Sequence, residues 1–444
     1  MKFLLLLLGF ILVVPSTFCA QKHYAEIITL TQSEEKMYND LFAYTPRFPK
    51  VCGTPKDSPI NPHVFVANAG SGAWMLGVPV GSRKASRQFF VPEIPKVLVA
   101  NGAPGGRIHV GVSGLINKET QEVRDDSMKS IISFIDACLD QGMYVLLMYD
   151  SCSARNPNKE DLQLLFKVWD DICYKMRNKS YRLSMAPFIE WHGWEKSSKD
   201  ERVSKFKCLQ KRCEEIFRRY NPNRIYAYKG IGSSRVNSTP WRFLNLGCDD
   251  INPYFILSGS AASLGTTRHS CLWYDWNINK EHTNQEIKDE IFNFFLPALK
   301  FREKYNVAIY IDHWTAPVEG NEESSIDVDK RIAELKNSRT RRAKINLQIL
   351  LRKIDRAKRK HQVFVLKKFK LSQSKAFIDY VSKLIKNNGI GGAFFPHTFD
   401  YFWDRKNQKP AIFPKDSPQY NAQEIIKKSW GKSKLWKPGT PIWH

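Results

Sequence analysis

From about residue 105 to residue 395 the chain alternates short apolar runs with longer amphipathic stretches, and nothing else in it limits the fold as much. Residues 107–112, 144–149, 183–189, 224–228, 251–257, 307–311 and 392–395 have the length and apolar density of buried strands. Between them, 125–141, 162–176, 202–220, 286–305 and 375–387 carry apolar residues at helical spacing. The first helix shows the pattern clearly: Met128, Ile131, Ile132, Ile135 and Cys138 fall on one face, and Gly142 stops it. The 251–257 run contains Pro253, which removes a ladder donor, so an irregular strand is expected there.

Strand-then-helix units repeated over this length predict a parallel sheet with helices outside it. The count approaches eight and no glycine-rich dinucleotide turn is present, so the expected fold is α/β, a (β/α)8 TIM barrel. A doubly wound sheet is the alternative. The first strand is read as either 64–67 or 96–100, and the glycine-rich stretches 67–81 and 102–106 are read as loops. Residues 319–370 break the pattern. They open acidic and turn strongly basic, and Ile345, Leu347, Leu350, Leu351 and Ile354 form one apolar helical stripe. This section is expected to be a long basic helical insertion after the seventh strand. It is either a solvated helix with one face docked on the barrel or an arm that binds anions. The barrel domain is assigned to 20–400 and a tail packing on it to 401–444.

Residues 1–19 read as a secretory signal peptide: Lys2 precedes a short apolar core, with small residues at Ser16-Thr17 and Cys19-Ala20. That core is too short for a good membrane span, and no later stretch approaches about 20 apolar residues, so no stable membrane insertion is expected. The formal net charge of +24 points to anionic surfaces or polysaccharides. Nucleic acid is excluded as a partner by the routing that a signal peptide implies. Beyond the leader lie Cys52, Cys138, Cys152, Cys173, Cys208, Cys213, Cys248 and Cys271, an even set that an oxidising compartment would allow to form disulfides. Cys208 and Cys213 do not share a helical face and are not expected to pair. Asn178 and Asn237 head glycosylation sequons, the second weakened by Pro240.

The chemistry is sought at strand exits, where barrels of this class place their sites. The segment Leu183-Ser184-Met185-Ala186-Pro187-Phe188-Ile189-Glu190-Trp191-His192-Gly193-Trp194 is an apolar run that ends in a carboxylate among indoles and a histidine. A carboxyl held away from water has a raised pKa and suits a general acid, and an indole face suits a sugar ring. Other polar exits are Asp150, Lys229, Asn252 with Tyr254, Asp312 with His313, and His397; Trp273, Trp276 and Trp314 are interspersed. No cofactor motif or metal triad is present, so no cofactor is expected. No G-x-S-x-G elbow is present either, which leaves an esterase-type enzyme the weakest class.

From Arg107 to Phe395 the chain resembles, weakly, the cellulase-type glycoside hydrolases of family 5, which are retaining (β/α)8 enzymes. Arg107 stands where the family has an arginine on its second strand. Gly142 to Asp150 follows the family's Gly-x-x-Val-Ile-Leu-Asp-x-His with aspartate in place of the final histidine. Ile189-Glu190-Trp191 matches the Asn-Glu-Pro that carries the acid/base, without the asparagine. Asn252-Pro253-Tyr254 keeps only the tyrosine of His-x-Tyr. Asp312-His313-Trp314 falls where the family ends its seventh strand in the nucleophilic glutamate, and the best register puts His313 there. The resemblance implies a secreted glycosidase acting on a polysaccharide or glycoconjugate, an anionic one given the charge. Glu190 would be the general acid/base, and Asp312 with His313 the remaining catalytic positions. Arg107, Asp150, Trp191, His192, Trp194, Tyr254, Trp276, Trp314 and His397 would contact substrate. Strand alternation puts His313 on the face of Ile309 and Ile311, and Asp312 on the other. A retaining enzyme needs its second carboxylate about 5–5.5 Å from the first, and an inverting one about 6.5–9.5 Å. With no glutamate at the nucleophile position, a catalytically inactive carbohydrate-binding or matrix protein is the alternative. The oligomeric state stays open.

Overall fold

The computed structural model describes residues 30–75, 90–111, 115–117, 119–150, 156–188, 191, 193–194, 196–229, 255–261, 284–315, 328–338, 341–359, 371–395 and 398–444. Eight parallel strands close into a barrel in sequence order: β1 Ser71–Met75, β2 Gly105–Gly111, β3 Tyr144–Asp150, β4 Leu183–Ala186, β5 Tyr226–Lys229, β6 Phe255–Ala261, β7 Ala308–Thr315 and β8 Gly391–Phe395. The closing pair is β1 with β8, in register Ser71↔Gly392 and Ala73↔Phe394. Helices α1 Gln32–Leu41, α2 Pro62–Ala69, α3 Glu93–Ala100, α4 Asp125–Asp140, α5 Lys159–Lys175, α6 Lys199–Tyr220, α7 Asn284–Tyr305, α8 Val328–Asn337, α9 Arg341–Arg359, α10 Leu371–Asn387 and α11 Pro418–Ser429 complete the described elements. Among the described residues no helix is long and apolar enough to cross a membrane.

The barrel separates two cores by strand alternation. Leu146 and Met148 of β3, Ala186, Ala227, Ala308 and Tyr310 of β7, and Ala393 form the inner cluster, joined by Phe65, Val66 and Ala69 of α2. The alternate residues, among them Val145, Leu147, Met185, Tyr226, Ile309 and Ile311, face the helices in the large outer cluster. Small inward residues make room for large ones. A Cβ on Gly391 would stand 2.6 Å from the Tyr310 ring, so a glycine is required there.

Both expected first strands are helical. Residues 64–67 lie in α2, which Asn61 caps and Pro62 opens, and 96–100 lie in α3, where Ile94 and Leu98 bury one helical face. The strand is Ser71–Met75, inside the stretch read as a glycine-rich loop, and Gly105-Gly106 likewise begin β2. Runs of four or five apolar residues do not carry enough periods to separate helix from strand. β4 pairs only through Ala186, because Pro187 has no N–H to give the ladder. β6 begins at Phe255, beyond Pro253. β7 runs on through Thr315, so Asp312-His313-Trp314 lies within the strand and not past its end.

Between β7 and α10, α8 and α9 pack on each other. Leu335, Ala343 and Leu350 are buried, with Ile332, Leu347 and Ile354 beside them, so the apolar stripe of α9 is covered by α8. Leu351, expected in that stripe, is 44% exposed. The tail closes the N-terminal end of the barrel: Ser71 and Gly431 exchange backbone hydrogen bonds, and Ser433 donates to Ala67. The described cysteines Cys52, Cys138, Cys173, Cys208 and Cys213 form no disulfide. All but Cys52 are buried, and burial pushes the Cys138, Cys173 and Cys213 thiols up, so they serve as small apolar residues. Cys152, Cys248 and Cys271 lie outside the described residues. Asn178 is exposed, and its side-chain oxygen accepts the Thr54 N–H at 3.0 Å.

Candidate active site

Two of the predicted site residues meet inside the barrel. Arg107 of β2 has no exposed surface, and its guanidinium donates to the Asp312 carbonyl of β7 at 3.3 Å. Asp312 also has no exposed surface. Tyr310, two residues earlier, shares this space; burial raises its phenol, the Arg107 charge opposes that, and the Asp312 charge adds to it. A guanidinium here fixes the spacing of β2 and β7 across the lumen and makes the local field positive, favouring an anion above it.

β7 carries an irregularity at this level. Gly259 pairs with Ile311, but Ser260 pairs with His313, so β7 has one residue more than β6. The extra residue reverses the alternation. Trp314 joins Ile309 and Ile311 in the outer core, pairs with Phe394, and meets its ring edge-on at 4.7 Å. Strict alternation puts His313 on the face of Ile311; the register places its backbone opposite Ser260 instead. Trp314 was expected to meet sugar, but with no exposed surface it is a packing residue of the barrel wall.

The β4 exit is built in the same way. Trp191 and Trp194 are 2% and 4% exposed, their rings 5.3 Å apart. Trp191 also packs on Phe188 at 5.3 Å, and Trp194 on Phe42 at 5.9 Å. The Trp194 indole N–H donates to the Pro157 carbonyl at 3.2 Å. A Cβ on Gly193 would stand 2.6 Å from the Trp191 indole, so the fold-back needs glycine. Trp194 has φ +58°, a left-handed conformation that costs a bulky side chain energy and that packing must hold. Arg202 of α6 clamps the turn, donating to the Gly193 carbonyl at 3.0 Å. Packed this way, neither indole has an open face for a sugar ring.

Asp150 ends β3, in register with Gly111 of β2. Glu190, His192, Tyr254, Trp276 and His397 lie outside the described residues, as do Asn252 and Trp273. The structure adds His109, which sequence reasoning missed. It is two residues above Arg107 on the inward face of β2, partly exposed, while Ile108 and Val110 are buried in the outer core. The signal was present in the alternation of 105–111. Acid/base chemistry on a glycosidic bond requires two carboxyl groups; among the described residues Asp150 ends β3 and Asp312 lies within β7.

No family model matches the sequence, and no curated protein matches it. Solved structures do match the fold. A Bacteroides ovatus GH5 xyloglucanase in complex with an XXXG heptasaccharide aligns over 87% of this chain and 80% of its own, at 13% identity and TM-score 0.56. A broad-specificity GH5-4 endoglucanase from Clostridium longisporum aligns over 84% and 99%, at 12% identity and TM-score 0.55. A tri-modular GH5 endo-β-1,4-glucanase from Bacillus licheniformis aligns over 84% and 61%, at 14% identity and TM-score 0.53. At these identities the likeness carries the fold alone: this chain has a (β/α)8 barrel like that of the GH5 cellulase-type glycosidases.

Proposed function

We propose that the protein is a secreted glycoside hydrolase that cleaves a polysaccharide or glycoconjugate at the strand-exit end of the barrel. Glu190 is the general acid/base. The observation that carries this reading is the Arg107–Asp312 contact, a buried guanidinium inside a barrel of glycosidase type, bonded to β7 where the resemblance puts the nucleophile. The bond cleaved is the glycosidic C–O bond. Glu190 protonates the leaving oxygen, and a second carboxylate supports the developing oxocarbenium ion or activates water. Asp150, on the strand next to β4, suits the base of an inverting pair; Asp312 is enclosed. Arg107 and His109 bias the lumen toward anionic groups, and the net charge of +24 favours an anionic glycan.

The test is the release of reducing ends from neutral and anionic polysaccharides by the wild type and by Glu190→Gln. Cleavage by the wild type alone supports the reading, and cleavage by both removes Glu190 from it. Adding Asp150→Asn and Asp312→Asn identifies the partner. On an anionic glycan, turnover falls as salt rises from low to physiological ionic strength, since screening weakens surface attraction. The complete burial of Asp312 favours a second reading, a glycan-binding barrel without turnover. Binding without cleavage across the panel would establish it.

A further inference from the structure

A cavity of about 450 Å³ lies on the outer wall of the barrel, between the helix layer and the C-terminal tail. Gln285 and Lys288 of α7, Asp379, Tyr380 and Lys383 of α10, and Trp443 of the tail line it, so no strand contributes. Its size falls within the range of small-ligand sites, about 300–1,000 Å³.

Three features mark it as built for a ligand. First, Trp443 is a fixed, half-buried platform. Buried Asn388 holds its backbone on both sides: the Asn388 amide oxygen accepts the Trp443 N–H at 2.9 Å, and the amide N–H2 donates to the Trp443 carbonyl at 3.0 Å. The indole lies 5.7 Å from the Tyr380 ring, tilted 38°. Second, Tyr380 is 5% exposed, and its hydroxyl has no hydrogen-bond partner among the described residues. A buried hydroxyl left unpaired costs free energy that a ligand oxygen would recover. Burial and the nearby Asp289 charge push this phenol up to about 12, so it is a neutral donor at physiological pH. Third, one lysine of the lining is paired and the other is not. Lys383 pairs with Asp379 at 2.8 Å, and Asp289 is held by His444 at 3.3 Å and by the Gln285 amide at 2.7 Å. Lys288, exposed at the rim, has no ion pair among the described residues.

An aromatic platform beside a buried donor and a rim lysine outside any ion pair of the described residues fits a sugar ring that bears a carboxylate. We propose that this cavity is a second glycan-binding site that takes a uronic acid residue, its ring on Trp443 and its carboxylate at Lys288. The choice of a sugar rests on the glycan reading above. The site would hold the polymer on the barrel wall and raise its local concentration at the strand exits.

The experiment is calorimetric titration of the full-length protein with tetragalacturonate, using cellotetraose as the neutral control, in wild type, Glu190→Gln, Lys288→Gln, Trp443→Ala and Trp443→Phe. The proposal expects tetragalacturonate binding that weakens about tenfold in Lys288→Gln and in Trp443→Ala. Trp443→Phe should recover part of the loss, and Glu190→Gln should bind as the wild type does. Absence of tetragalacturonate binding, or binding unchanged in both cavity variants, overturns it. Equal binding of cellotetraose with no effect of Lys288→Gln overturns the uronate assignment. Loss of turnover from every polysaccharide with the cavity pattern intact defeats the hydrolase reading alone, so the two failures are distinguishable.

Discussion

Two sets of tryptophans in this molecule have exchanged the roles that their sequence contexts suggest. Trp191, Trp194 and Trp314 sit beside carboxylates and histidines at strand ends, yet they are 2%, 4% and 0% exposed and pack on Phe188, Phe42 and Phe394. Trp443 lies in a proline- and lysine-rich tail with no catalytic neighbour, yet it is half-buried and borders a cavity. The difference is in what each indole rests on. A strand-exit indole that folds back over the helix layer gains burial on both faces, whereas a tail indole crossing two helices is covered on one side only. Proximity to an acid in the chain therefore does not make an aromatic a sugar platform.

The largest effect that would sharpen this contrast is on turnover. Glu190→Gln is expected to lower kcat by about 10²–10⁴-fold, the usual worth of a positioned general acid/base. Trp191→Phe, which keeps an aromatic in the buried cluster, should lower it far less. A loss for Trp191→Phe as large as that for Glu190→Gln would mean that the indole meets substrate, and the comparison would fail.

Stability comes next. Trp314→Ala removes a fully buried ring between β7 and β8 and should cost about 3–5 kcal/mol. Trp443→Ala, already partly solvated, should cost clearly less. Urea unfolding midpoints, with the slope checked for constancy, measure both. Equal shifts would place Trp443 in the core and remove the basis for a ligand platform there.

What the sequence made legible follows the length of its patterns. Helices such as 125–140 and strands such as 144–150 carry several periods, and they stand where the periodicity puts them, within a few residues. The first strand is hidden because 71–75 is short, contains Gly72 and is pressed against Gly105 of β2, so packing and not propensity decides it. In the candidate site, Arg107 and Asp312 were named separately, but their contact across the lumen depends on barrel closure, which no local pattern encodes. The added residue in β7 was invisible for a similar reason. It appears only when β7 is paired with β6 and β8, and it is what sends Trp314 outward. His109 was readable from alternation and was overlooked because it lies within a strand and not at its exit.

The smallest expected effect concerns how the tail is held. His63 of α2 stacks on Trp436 with ring centroids 4.7 Å apart, and its Nε2 lies 3.2 Å from the Asn306 carbonyl. Burial lowers the His63 pKa, the hydrogen bonds with Asn306 oppose that shift, and the nearby Arg302 charge adds to it. The folded state therefore binds a proton less readily than the unfolded chain, whose histidines titrate near about 6.5. Stability should be full above that pH and decline as the pH falls from it toward the lowered folded value, because protonation then favours unfolding. His63→Gln, which removes the titration but keeps a polar group of similar reach, should flatten this decline between pH 7.5 and 5.5. Arg302, fully buried, places its guanidinium 4.7 Å from the Trp436 ring centroid, so the tail indole contacts both an imidazole and a fixed cation. A proton on His63 adds a second positive charge near Arg302, and the slope of unfolding midpoint against pH reads its cost directly. An unchanged slope in His63→Gln would mean that the His63 contact does not help to hold the tail, which its bonds to Ser71, Ala67 and Asn388 then secure, and that Trp436, like the strand-exit indoles, is simply core.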